Sequence, residues 1–181
     1  MKRRGAARPY ARALHDLARE RGQVDLIQRE LEAAAGALAA APELREVLSR
    51  PWVPAGVKRN VAVAVAERLG LSALTRDFLA LVARHGRAGE LEAIAHAYRT
   101  LVDEAAGRAR ARVRTAVPLT EAERDELRRR LGRALGVSEV LLDEVVDPGL
   151  LGGFVVEVDS YVLDASLEGQ LARVRQRLAS A

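Results

Sequence analysis

The feature that most restricts this chain is a change of apolar spacing at Gly107. Before it, apolar residues return every three or four positions, the period of an amphipathic helix. After it they return every second position, the period of a strand. The expected fold is therefore an N-terminal all-α bundle followed by a small C-terminal α+β domain, parted near residues 103–109.

Six helices are expected within residues 6–106. The first carries Tyr10, Leu14, Leu17 and Ala18 as one stripe and ends at Gly22. The second carries Val24, Ile27, Leu31, Ala34 or Ala35, and Leu38. Pro42 opens a short third helix with Leu44, Val47 and Leu48, and Pro51-Trp52-Val53-Pro54 breaks it. The fourth carries Val57, Val61, Val65 and Leu69. Behind a Ser72 cap, the fifth carries Leu74, Phe78, Leu81 and Val82. The sixth runs through Leu91, Ile94, Tyr98, Leu101 and Ala105. Short breaks between helices imply antiparallel neighbours in a bundle. Aromatic residues make up only 3% of the chain, so this core must be built from Ala, Leu and Val.

From Gly107 onward, Arg108, Arg110, Arg112 and Arg114 fall on one strand face, and Ala109, Ala111, Val113 and Thr115 on the other. Thr120 and Glu123 form a capping-box pattern, opening a helix that buries Leu127, Leu131 and Leu135. A strand over about 138–146 follows. Next comes a structural turn marked by Asp147, Pro148, Gly152 and Gly153. A third strand at 153–158 turns Phe154, Val156 and Val158 to the core, and a short fourth occupies 161–165. Asp159-Ser160 is the expected hairpin turn. Ser166 caps a final helix with a seam of Leu167, Leu171, Val174 and Leu178. Part of that seam is expected to cover the sheet, leaving an apolar remainder for a partner helix. The resulting order is β-α-β-β-β-α.

Chemistry is sparse. The glycines at 149, 152 and 153 match neither a P-loop nor a dinucleotide fingerprint, and a strand follows where those motifs need a helix. His15, His85 and His96 lie on separate helices without metal-ligand spacing and read as surface or core-edge residues. Asp143, Glu144 and Asp147 lack the spacing of a calcium loop and read as solvated charge. There is no Cys, and no Ser lies in a nucleophile elbow. No catalytic group, metal or cofactor is expected. Trp52 reads as a lid over the bundle end, with an interface anchor as the other reading. The formal charge is +4, and the Arg108–Arg114 ladder is the best nucleic-acid candidate. No aromatic residue interleaves with it, so a solvated strand face is the stronger reading.

Three stretches carry a family resemblance. Ala7-x-x-Tyr10-Ala11-x-Ala13-Leu14-x-x-x-Ala18 is the first. Phe78-Leu79-x-Leu81 with Gly86-Arg87-x-x-x-Leu91-x-x-Ile94-x-x-x-Tyr98 is the second. The third is Val146-Asp147-Pro148-x-Leu150-x-Gly152-Gly153 followed by Asp164-x-Ser166. Together they resemble the delta subunit of bacterial F-type ATP synthase, a relative of the mitochondrial oligomycin-sensitivity-conferring protein. The chain departs from that family's pattern at Asp77, where Asn is common, and at Asp159-Ser160, where Gly-Asp is usual.

The resemblance implies a six-helix domain over 1–105 that binds the catalytic head and a 106–181 domain that binds the peripheral stalk. It implies a non-catalytic stator that couples proton translocation to ATP synthesis. The implied partners are the alpha subunits' N-terminal segments and the b subunits, with no nucleic acid. Membrane association is implied only through the complex, at the cytoplasmic face of the bacterial cell membrane. It places alpha binding around Tyr10, Ala11, Leu14, Phe78, Leu79 and Val82, and stalk binding is expected at Leu171, Val174 and Leu178. The competing reading is a helical RNA-binding module with a basic β appendix, which would show a steep salt dependence.

Overall fold

A computed structural model of the chain describes residues 7–158 and 161–179, without the side chains of Val174, Arg177 and Ala179. The expected hairpin turn at 159–160 and the basic start of the chain lie outside the described residues. The chain divides into two compact units, one up to Val102 and one from Asp103 onward.

The helical stripes place α1 (Ala7–Glu20), α2 (Val24–Ala40), α3 (Pro42–Ser49), α4 (Ala55–Arg68), α5 (Ala73–Arg84) and α6 (Leu91–Ala105), with a 3-10 turn at Ala88–Glu90. Every helix contributes to one apolar core, through Leu14, Ile27, Leu48, Ala66, Val82 and Ile94 among others. The fold is thus helix-rich up to β1, as the apolar period implies.

Polar ties supplement the packing. Ser72 caps α5, accepting from the Thr75 N–H at 3.4 Å. Glu30 of α2 accepts from the Ser72 N–H at 2.7 Å, the Ser72 hydroxyl at 2.6 Å and the Thr75 hydroxyl. A half-buried carboxylate so engaged pins the start of α5 to α2. Tyr98 is wholly buried and donates to the Val24 carbonyl at 3.1 Å. Burial, with a smaller contribution from Asp25, pushes its phenol up to about 12.

Three expectations need correction here. In α4 the buried residues are Lys58, Ala62 and Ala66, while Val57 and Leu69 are exposed. Val and Ala alternate along this helix, and the burial axis is one residue further round than the valine stripe. Alanines on the contact side let α4 approach α5 closely. In α1 and α5, Leu17 and Leu81 are not buried; Ala11 and Leu79 lie in the core instead. Trp52 is 73% exposed, with the Arg50 guanidinium 5.3 Å from its ring centroid, and is no lid.

The second unit contains β1 (Arg108–Thr115), α7 (Glu121–Leu135), β2 (Glu139–Val146), β3 (Phe154–Val158), β4 (Tyr161–Asp164) and α8 (Leu167–Ala179). The sheet order is β2-β1-β3-β4. β1 and β2 run parallel, which requires a crossover, and α7 supplies it. β3 pairs antiparallel with β1 and with β4. Ala111, Val113, Val140, Val156 and Val158 form the apolar face, closed by Leu127 and Leu131 of α7.

α7 has the capping box its sequence announces. Thr120 accepts from the Glu123 N–H, and Glu123 accepts from the Thr120 N–H at 2.8 Å. One expectation fails in this unit. The seam of α8 was to cover part of the sheet, yet no described α8 residue belongs to the sheet's core. Among the described residues, α7 closes that face, with Leu119 and Val137 packed beside it.

Candidate functional site

Among the described residues, each unit leaves an apolar surface open. The first is a groove of ≈ 430 Å³ between α1 and α5. Its geometry follows from the stripes of these helices, which are wider than the core can absorb. Leu14 and Phe78 are buried at its floor, while Leu17 and Leu81 stand at its rim, 42% and 43% exposed. Tyr10 lies edge-on to Phe78, with centroids 6.4 Å apart, and the Arg87 guanidinium stands 5.5 Å from the Tyr10 ring. These contacts fix the aromatic wall. Asp77, paired with Arg76 at 3.1 Å, is the acidic group on the rim.

Of the six residues expected at an alpha-binding surface, Tyr10, Leu14 and Phe78 line this groove. Ala11, Leu79 and Val82 lie in the core behind it. Sequence reasoning missed Pro9, Ala13, Leu17, Leu74, Asp77 and Leu81 as lining residues. Their signal was available in the i, i+3, i+4 continuation of both stripes, but not which side of each stripe stays open.

The second surface is the outer side of α8. Leu167, Leu171 and Leu178 are 48%, 55% and 74% exposed. The Val174 side chain lies outside the described residues. Beside them in the same unit, Tyr161, Val162 and Leu163 of the edge strand β4 are exposed too. Yet the start of α8 is closely specified. Asp164 accepts from the Ser166 N–H at 2.9 Å and its hydroxyl at 2.6 Å, and Ser166 in turn accepts from the Gly169 N–H at 3.0 Å. Those two bonds from Ser166 hold the Asp164 carboxyl below the usual carboxylate range.

The glycine turn belongs to this seat. Asp147 accepts from the Gly149 N–H at 2.9 Å in an Asx turn, and Pro148 sits between them. Gly152 accepts from the Leu167 N–H at 3.0 Å, and a Cβ on it would stand 2.7 Å from Leu167 Cδ1. Gly153 has φ +78°, and a Cβ there would run into the Ala165 carbonyl. Only glycine fits. The turn thus joins two strands and also makes room for the first turn of α8.

The basic face of β1 is not simply solvated. Arg108 and Arg110 meet Asp103 at 3.2 and 3.3 Å. Arg112 stands opposite Asp143 on one neighbour and Glu157 on the other. Arg114 reaches Asp147 at 3.4 Å and Glu157 at 3.7 Å. Three of the four arginines thus have an ion-pair partner and the fourth has acids on both neighbouring strands, which does not support the unpaired phosphate-binding track of the RNA reading.

Glu144 also departs from the solvated-charge expectation. It accepts from the Leu119 N–H at 2.8 Å and pairs with Arg124 at 2.8 Å, with 15% of its side chain exposed. The Leu119 bond first, then Arg124, holds its carboxyl below the usual range. It faces the apolar side, opposite Val113, so it must be partnered. His85 and His96 are exposed, and His15 packs edge-on to Tyr98 with centroids 5.7 Å apart. No group of three or more metal-ligating side chains occurs among the described residues. No described helix is long and apolar enough to cross a membrane.

Comparison with known proteins gives a consistent result. Residues 6–178 match the family model described as ATP synthase delta (OSCP) subunit. The chain is 40% identical over 172 residues to the ATP synthase subunit delta of Anaeromyxobacter sp. strain Fw109-5, covering 95% of this chain and 96% of that one. It is 36% identical over 178 residues to the ATP synthase subunit delta of Desulfatibacillum aliphaticivorans, covering 98% and 97%. In structure it is similar to a chain of the Toxoplasma gondii mitochondrial ATP synthase hexamer, with a TM-score of 0.70. That match covers 97% of this chain and 98% of the other at 20% identity, and speaks to the fold.

Proposed function

We infer the role of this chain from one premise: it belongs to the ATP synthase delta (OSCP) family. It is a non-catalytic, structural subunit of the ATP synthase, acting as a stator in the peripheral stalk of the complex. The observation that carries the finer reading is the pair of open apolar surfaces, one per unit. A connector needs two docking sites, and they need not resemble each other.

In this reading the six helices work as a bundle on the catalytic head. Their groove takes an amphipathic helix from the N-terminal segment of an alpha subunit. A floor of Leu14 and Phe78 between rims of Leu17 and Leu81 suits anchors at i, i+3, i+4 and i+7. The α8 face takes the helical end of a b subunit, with Leu171, Val174 and Leu178 as anchors. Arg173 and Arg175, both exposed on α8, attract acidic groups of that partner and raise the on-rate. Held at both ends, the subunit resists rotor torque, so that proton flow stays coupled to ATP chemistry. Its place is then peripheral, on the cytoplasmic face of the bacterial membrane. Support for the head contact comes from the groove's shape and lining, and for the stalk contact from a well-seated helix whose leucines stay exposed.

The head contact is tested by calorimetric titration of the full chain with an alpha N-terminal peptide. Saturable binding is expected, and Leu81→Asp should weaken it at least about tenfold by placing a charge at the rim of an apolar groove. Equal affinity of the parent and Leu81→Asp proteins would remove the groove from the contact.

A further inference from the structure

β2 is an edge strand, and its outer side has no strand partner among the described residues. A cleft of ≈ 760 Å³ opens beside the first half of that strand, lined by Glu139 and Leu141 of β2, Arg110 of β1, and Arg128, Arg129 and Arg133 of α7. Four guanidinium groups there face one carboxylate. Arg110 is answered by Asp103 at 3.3 Å. Arg128 and Arg129 pair one turn back with Asp125 at 2.8 Å and Glu126 at 2.6 Å, and Glu126 also draws Arg133. Those two acids do not line the cleft, and exposed pairs of this kind are weak and easily exchanged. The local balance inside the cleft is positive, unlike that of the β1 face.

We propose that this cleft binds an extended, acidic segment of a partner protein, which adds a strand to the outer edge of β2. An open edge presents backbone N–H and C=O groups ready for pairing. Strand addition draws affinity from those groups and specificity from alternate side chains. Successive side chains of the added strand point to opposite faces. One set meets Arg128, Arg129 and Arg133 on the α7 side, which selects carboxylates. The other set meets Leu141, which admits an apolar residue. The recognised pattern is therefore acid alternating with apolar. A helical partner could not pair with the strand edge. Single-stranded RNA would find guanidinium groups but no aromatic platform among the lining residues. The cleft shares no residue with the groove or the α8 face, so this proposal stands or falls apart from the stalk assignment.

The test uses the full chain and a fluorescein-labelled octapeptide of alternating Glu and Val. Saturable binding by anisotropy is expected, with slowed amide exchange within residues 139–142. Arg129→Glu with Arg133→Glu should weaken binding at least about tenfold through lost attraction and added repulsion. If that pair of changes lowers the melting temperature, Arg129→Gln with Arg133→Gln replaces it, with a loss of several-fold expected. The same peptide with a neighbouring Glu and Val at its centre both replaced by Pro should not bind, since in either register one of the two lost N–H groups faces β2. Absence of binding by the Glu-Val peptide, equal binding by the Pro peptide, or tighter binding by an RNA oligomer of equal charge would each overturn the proposal.

Discussion

Helices α7 and α8 sit in the same unit, carry leucines at similar spacing, and meet opposite fates. α7 enters through the Thr120–Glu123 box and buries Leu127 and Leu131 against the sheet. α8 enters through Asp164 and Ser166, with a glycine pair clearing its path, and leaves Leu167, Leu171 and Leu178 exposed. In α7 the apolar face serves folding. In α8 the entry is specified as tightly, while the described leucines contribute little to the unit's own core. A leucine seam therefore states only that a helix has something to bury. Where the cover comes from shows in the packing alone.

The largest test of this contrast is a matched pair of truncations. Leu131→Ala should cost about 2–4 kcal/mol of stability, since a buried leucine leaves a cavity. Leu171→Ala should stay within about 0.5 kcal/mol. Urea denaturation of both proteins measures the difference, and equal costs would erase the distinction between the helices.

Next in size is Gly153→Ala. Its left-handed backbone alone predicts a cost of about 1–3 kcal/mol, to which the Ala165 carbonyl adds a collision. The change should loosen the start of α8, seen as faster amide exchange from Leu167 onward. Parent-like stability and exchange would mean the glycine pair is not the seat of this helix.

Smaller again is Glu144→Gln, which weakens the tie between β2 and the start of α7. A loss of about 1–2 kcal/mol is expected at neutral pH. The folded carboxyl titrates below its ordinary range, so the unfolded chain takes up the proton first as pH falls. The Glu144 contribution is therefore complete above the ordinary carboxylate range and is lost as pH drops through the lowered value. Melting temperatures between pH 7 and pH 3 should fall less steeply for Glu144→Gln than for the parent. Parallel acid limbs would contradict the assignment.

The order of elements was legible because each boundary carries its own local signal: Pro42 and Ser72 at helix starts, the Thr120–Glu123 box, the alternation after Gly107. Rotation about helix axes was not. In α4, alternating Val and Ala present two apolar stripes, and only packing against α5 selects the alanines. The groove was half legible for the same reason. Tyr10 and Ala11 are adjacent on one stripe, yet one lines the opening and the other is core. Glu144 could have been found. It shares the strand face of Val140 and Leu142, where an unpartnered charge is costly. The cleft beside β2 was out of reach, since it depends on which strand ends at the sheet edge.

We propose that α8 keeps its apolar face for a partner rather than for its own unit. Its most direct test is calorimetric binding of the full chain to a soluble fragment of the b subunit, comparing the parent with Leu178→Asp. Affinity for b should fall at least about tenfold, as for a buried anchor replaced by a charge. Unfolding stability should remain within about 0.5 kcal/mol of the parent, and binding of the alpha peptide should be unchanged. Undiminished binding to b, or a stability loss as large as that of Leu131→Ala, would contradict it.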